Sequence, residues 1–486
     1  MTISPAPYEL APVKFSRLAK RGLFLGLSLG QVVVLGIGVI TLLLALYTAG
    51  GIGVVVASPV LMTCSVLAWS SVGGRRIVAW LPISSVWLWR TATRQREFRC
   101  RISRPRPAGT LALPGGAACL RQWVDEETGA VMVHDPHAAT LTAIISVTHP
   151  AFMLLDPAEQ QRRVTGWGRV LASTCRSGRI AGLQVLERTL PDSGKGLAEW
   201  WKTHGTHDES WASRTYDELI ASAGPAGERH ATTISISLDL KTARRAIHAA
   251  GGGMRGSATV LRQEMTTLTA ALRAADLVPG GWLTPGDLAL VLRTAYDPGI
   301  TAALECHPTL GRDLTTAGPI AVSESWGSFQ SDSAHHAVLW ISEWPRYQVY
   351  PGFLAPLLLT SGVRRSISLR YTPIRADVAA RDLRRKKTEY VSDAAQRRRI
   401  GQLDDAQQNA EYADVLQQEA DLTSGHGVLR VTGFVTLSAS TANDLERDVA
   451  AVEQAAIQAS CETRRLWGQQ SQAFAGVSLP LCRTPP

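Results

Sequence analysis

The sequence predicts a mixed α/β protein, with an N-terminal transmembrane helical hairpin followed by two cytosolic α/β lobes. Three observations carry this. Residues 22–74 hold no Asp, Glu, Lys, Arg or His. From residue 108 onward, runs of alternating polar and apolar residues interleave with stretches of helical period. Apolar residues make up 45% of a 486-residue chain, enough to fill the cores of more than one domain.

The uncharged stretch is too long for one crossing, which takes about 20 apolar residues. It divides into Leu23–Leu46 and Ile52–Ser70, around the short link Tyr-Thr-Ala-Gly-Gly. Lys14, Arg17, Lys20 and Arg21 precede it, and Arg75 and Arg76 follow, with Arg90, Arg94, Arg96, Arg99 and Arg101 soon after. Positive flanks stay in the cytoplasm, so both termini are expected there, in a multi-pass protein of the plasma (inner) membrane. A cleaved signal peptide would have a shorter apolar region and a small-residue cleavage site.

Gly26-Leu-Ser-Leu-Gly30 matches the G-x-S-x-G elbow of serine hydrolases. That elbow needs a strand, a strained turn and a helix. Ser28 instead lies near the start of an apolar helix, and the hydrolase reading is set aside. Gly22, Gly26 and Gly30, four apart, form a helix face that another backbone can approach closely. Its partner is either the second helix of the hairpin or a helix of another protein; simple tolerance of glycine in membrane helices is the plainer alternative. Next, Trp80, Trp87 and Trp89 sit among apolar residues ahead of arginines. This reads as an amphipathic segment along the membrane face, or as an ordinary helix docked on the soluble region. Arg104-Pro-Arg-Pro107 reads as an extended linker. The resulting plan is a tail (1–21), a two-helix hairpin (22–74), a membrane-proximal segment and linker (75–107), a first lobe (108–318) and a second (319–486).

In the first lobe, strands are expected at 109–116, 130–135, 140–149, 179–190 and 231–240. A helix runs from Asp156 to about Thr174, another holds Trp200, Trp201 and Trp211, and two more cover 257–276 and 284–296. In the second, paired strands at 321–330 and 335–344 precede a strand at 363–375 and a long helical stretch, 376–423. A strand at 428–440, a capped helix at 441–458 and a strand at 461–468 complete it. No repeat of fixed period is visible.

No cofactor, metal or catalytic site is expected. Gly194-Lys195 is the one Gly-Lys dipeptide, but Thr189 and Gly196 stand where a phosphate loop needs glycine and a hydroxyl residue. The pairs His134/His137 and His204/His207 have metal-ligand spacing, yet nothing in the sequence brings them together. His335-His336 enters a strand and reads as structural. The seven cysteines are scattered with no Cys-x-x-Cys, which speaks against a zinc motif or a disulfide framework.

The net charge of +9 favours anionic partners without specifying a fold. It concentrates in Arg375, Arg381, Arg384, Arg385, Lys386, Lys387, Arg397, Arg398 and Arg399. Residues 400–421 then hold six acids and no base. In one straight helix that order opposes the helix dipole. A break near Gly401 and a helical hairpin, positive against negative, is therefore expected; binding of nucleic acid or acidic lipid is the alternative.

The series HHAVLWISEWPR (335–346), VRRSISLRYTPI (363–374), the charged helices, Ser424-Gly-His-Gly427, VTGFVTLSAS (431–440), TANDLERDVAAVEQAA (441–456) and GQQSQAFAGVSLPL (468–481) resembles the non-motor N-terminal region of type IV secretion ATPases of the CagE/TrbE/VirB group. The order of elements over residues ~320–486 carries this likeness. The N-terminal hairpin is similar to the small two-helix PrgI/VirB-type membrane partner of such ATPases. The whole resembles an actinobacterial integral-membrane protein of conjugation-type gene clusters. The resemblance implies a non-catalytic scaffold for secretion, conjugation or DNA transfer that recruits a separate motor ATPase. Its implied partners are that ATPase, other membrane proteins of the machine, the lipid bilayer and, indirectly, DNA, within an oligomeric assembly. Two alternatives stand beside it: a membrane component of a type VII secretion system, and a membrane-tethered nucleic-acid-binding protein working through Arg384–Lys387.

Overall fold

The computed structural model describes residues 13, 15, 27–72, 75–101, 107, 109–149, 152–208, 210–223, 227–307, 309–400, 406–424 and 426–484, with backbone alone at 396–400 and 406–409. The described chain forms two compact units. One spans residues 27–96; the other spans 97–484 and includes Val13 and Phe15.

The smaller unit consists of α1 (Leu29–Trp69), the two-residue strands β1 (Ser71–Val72) and β2 (Arg75–Arg76), and α2 (Ile77–Ala92). Here the sequence expectation is corrected. One element, α1, is long and apolar enough to cross a membrane, where two separate spans were expected. The chain therefore does not fit a multi-pass membrane protein. The physical reason lies in the link at 47–51, which carries no proline or charge to end a helix. Two helical arms meet there with no loop between them, and only Gly50 leaves helical geometry (φ 60°, ψ −139°), a conformation open to glycine. The chain reverses there. The Gln31 side chain donates to the Ala68 carbonyl at 2.7 Å, and Gly38 lies against Leu61 and Cys64.

The larger unit opens with β3 (Glu97–Arg99), β4 (Arg121–Val124), β5 (Val131–Asp135) and β6 (Thr140–Thr148). Then come α3 (Pro157–Ser177), β7 (Ile180–Pro191), α4 (Lys195–His204), α5 (Trp211–Ala223) and β8 (Glu228–Asp239). They are followed by α6 (Arg244–Ala249), α7 (Gly253–Ala274), β9 (Val278–Trp282), α8 (Pro285–Tyr296) and α9 (Thr301–Cys306). The remainder starts with β10 (Ala321–Glu324), β11 (Phe329–Ser331), β12 (Ala334–Glu343), α10 (Ala355–Leu358) and β13 (Arg365–Ile374). It ends with α11 (Ala376–Ile400), α12 (Ala406–Thr423), β14 (Val428–Ala439), α13 (Ala442–Gln458), β15 (Glu462–Arg465) and α14 (Gln470–Val477). Local signals set several boundaries. Thr284 caps α8 in a box with Asp287, Thr441 caps α13 through Asp444, and Gly178 ends α3 with φ 61°.

Strands β3–β15 join in one sheet, in the order β3-β10-β11-β12-β14-β13-β7-β8-β6-β5-β4, every pair antiparallel. β6 pairs with β8 along one edge and divides the other between β5 and β9. β12 does the same with β14, then β11 and β15. Thus β6-α3-β7-β8-α7-β9 and β12-α10-β13-β14-α13-β15 follow one plan, the split βαβ arrangement. They meet where β7 pairs with β13, Val185 opposite Leu369. The two lobes expected from the sequence share one continuous sheet rather than standing apart.

Strand alternation sends side chains to two faces. On one face, Leu141, Ala143 and Ile145 pack under α3 and α7, and Ala337, Leu339 and Ile341 pack under α10 and α13. On the other face, Ile144, Val338 and Phe434 meet α8, α14 and the 111–120 segment in a third core. The C-terminal segment 477–482 is buried across the central strands. Gln184 holds it: its amide donates to the carbonyls of Val477 and Leu479, and its oxygen accepts from the Cys482 N–H. The N-terminal end is tied down too, with Val13 bridged to Val349 and the Phe15 ring stacked 5.1 Å from Trp344.

Candidate interaction surfaces

Both faces of the sheet are covered, so candidate surfaces lie on what projects from it. In each half, a helical pair is inserted between the two adjacent long strands: α4–α5 between β7 and β8, α11–α12 between β13 and β14.

The first pair is aromatic. Gly194, with φ 73°, turns the chain from β7 into α4. The Trp201 indole N–H donates to Asp217 on α5, and its ring tilts onto Tyr216 at 4.6 Å. His207 meets the same ring edge-on. Trp201 is thus the joint between the helices. Its neighbours face water: Trp200 is 53% exposed and Trp211 75%, with Leu197 and Leu219 also exposed. A cavity of about 450 Å³ opens beside the joint, lined by Ser193, Lys195, Lys202, His207 and Asp217. Lys195 is paired with Glu199 at 3.7 Å, while Asp192 and Ser193 accept the Gly194 and Lys195 N–H groups. Side chains thus occupy the donors that a phosphate loop would aim at its ligand.

The second pair is charged. α11 and α12 lie against each other around Leu383, Tyr390 and Val415. Lys387 bridges to Glu419 at 2.7 Å, which raises the lysine's pKa, and the Tyr390 hydroxyl donates to Glu411. Arg385 pairs with Glu389 and Lys386 with Asp382 on the same helix. Arg384 is exposed. The side chains of Arg397, Arg398 and Arg399, and the expected break at Gly401, lie outside the described residues.

Of the glycine face, Gly22 and Gly26 also lie outside the described residues. Gly30 is turned toward α2: a Cβ there would sit 2.7 Å from Val78 Cγ1. The crossing inside α1 uses Gly38 instead. Sequence reasoning missed Gln31, which is fully buried and gathers Ser28, the Ala68 carbonyl and Arg76. It is the one amide side chain between residues 22 and 74, and that was its signal.

The histidine pairs stay separate. His134 lies on β5, its pKa lowered by burial and by Arg121. His204 stacks on Trp200 and bonds its carbonyl, and His207 bonds the Lys202 carbonyl. Among the described residues, no group of three or more His, Cys, Asp or Glu is placed to hold a metal ion. Arg188 carried no signal in the sequence; it is buried, donates to Thr294 at 2.8 Å, and burial lowers its pKa to about 10. No family model matches the sequence, and no curated protein matches it.

Proposed function

We propose that this chain is a non-catalytic, membrane-attached scaffold of a type IV secretion or conjugation-like machine, and that it recruits a separate motor ATPase. One observation carries the proposal: the α4–α5 pair presents Trp200, Trp211, Leu197 and Leu219 to water on two helices already braced against each other. Tryptophan is the residue most enriched at binding hot spots, and a rigid aromatic patch loses little entropy when a partner covers it. The apolar α1 supports membrane attachment. The order of strands and charged helices over 335–481, similar to that of the non-motor region of secretion ATPases, supports the choice of machine.

The test is affinity purification of the tagged chain from native membranes in mild detergent, with mass spectrometry of what accompanies it. A type IV-like motor ATPase should be recovered, and the double variant W200A/W211A should lose it while its circular dichroism stays unchanged. Recovery of a type VII motor would transfer the chain to that machine. Nucleic acid with no ATPase would overturn the scaffold reading and direct mutation to Arg384 and Arg385.

A further inference from the structure

In the smaller unit, α2 buries little of its own surface. Val78 packs under Gly30, while Leu81, Val86, Leu88 and Trp89 are exposed, Leu88 at 66% and Trp89 at 67%. Leu81, Ser85, Leu88 and Trp89 recur at helical spacing and form one outward stripe. The surroundings of that stripe carry a single sign of charge. Residues 75–96 contain Arg75, Arg76, Arg90, Arg94 and Arg96 and no acid. Two of these guanidinium groups lie over tryptophan rings: Arg75 is 5.9 Å from the Trp80 centroid and Arg96 is 4.7 Å from that of Trp87. Arg76 is tied to Gln31, which also holds the Ala68 carbonyl, so the root of α2 is locked to both arms of α1.

We infer that α2 is an interfacial helix whose Leu81–Trp89 stripe enters the headgroup layer of an anionic bilayer, with Arg75, Arg94 and Arg96 on the lipid phosphates. Apolar residues and tryptophan at headgroup depth, flanked by arginine without acid, are what such a surface selects. Arg90 is buried and Arg76 is tied to Gln31; a zwitterionic surface gives Arg75, Arg94 and Arg96 no net attraction. A basic protein partner would be repelled. The inference rests on the membrane-attachment part of the proposed function, and its test separates the two.

The full chain carries C100S and C306S, which remove the exposed cysteines, and one fluorophore at Leu88→Cys or at Leu43→Cys on α1. It is reconstituted into phosphatidylcholine vesicles and into equimolar phosphatidylcholine–phosphatidylglycerol vesicles. Quenching is read with a headgroup nitroxide lipid, a mid-chain nitroxide lipid and aqueous iodide. The Leu88 site should be quenched by the headgroup probe in anionic vesicles and shielded from iodide. That shielding should fall in pure phosphatidylcholine, in high salt and in the R75Q/R94Q/R96Q variant. Iodide access to Leu88 in anionic vesicles would overturn the inference, as would mid-chain quenching or quenching indifferent to lipid charge. If Leu43 is also open to iodide, attachment through α1 fails as well. If Leu43 meets the mid-chain probe while Leu88 meets iodide, only the role of α2 is lost.

Discussion

His336 is fully buried on β12, stacked 4.8 Å from Phe329. Its Nδ1 meets the Ser438 hydroxyl at 2.8 Å; its Nε2 meets Ser331 at 2.7 Å and the Tyr296 carbonyl at 3.0 Å. Burial pulls its pKa down to about 3, against a smaller upward pull from the Tyr296 carbonyl. The unfolded chain protonates this ring near its ordinary 6.5 while the folded chain does not. Stability from the neutral ring is therefore fully present above that value. It falls as pH drops toward 3, by about 1.4 kcal/mol per pH unit. Melting followed from neutral to acid pH should show this slope, and His336→Gln should flatten it while lowering stability at neutral pH. Gln184 makes a second residue-scale prediction. Gln184→Leu strands the Cys482 N–H and the Val477 carbonyl, while the Leu479 carbonyl keeps the Leu481 N–H, at a cost of about 3 kcal/mol, read as a lower denaturant midpoint.

Among the elements, the α11–α12 pair was legible in advance because its charges run basic then acidic, an order a single helix resists. The partners were not legible: Lys387 reaches Glu419, while Arg385 and Lys386 stay on their own helix. Both members of the Lys387–Glu419 bridge are substantially exposed, so its effect is local. Hydrogen exchange should quicken in both helices for Lys387→Glu, and adding Glu419→Lys should restore protection. An unchanged exchange pattern would mean that Tyr390, Leu383 and Val415 hold the pair alone. α1 was less legible. Its apolar composition was evident, but a turn was expected to separate two helices, and one glycine with positive φ reverses the chain while helical hydrogen bonding continues on both sides. The pairing of Trp201 with Asp217 and Tyr216 joins residues on different helices and had no local signature.

At the scale of the molecule, most strands announced themselves by alternation, whereas their pairing did not. β7 and β13 are separated by about half the chain's larger unit, and nothing in either strand specifies the other. The shared plan of the two halves was equally hidden, because what repeats is the order of elements and not the residues. One sheet, with a buried C-terminal segment crossing its seam, should unfold as one body. Calorimetry of the chain in detergent should give a single transition for the larger unit, and a chain lacking residues 470–484 should lose it. Because β7 and β13 run antiparallel, the helical pairs that follow them leave from opposite ends of the sheet, one aromatic and one charged. The two projecting pairs are thus unlike in chemistry and held at a fixed separation by the strands between them, so a substitution that disrupts one leaves the other in place.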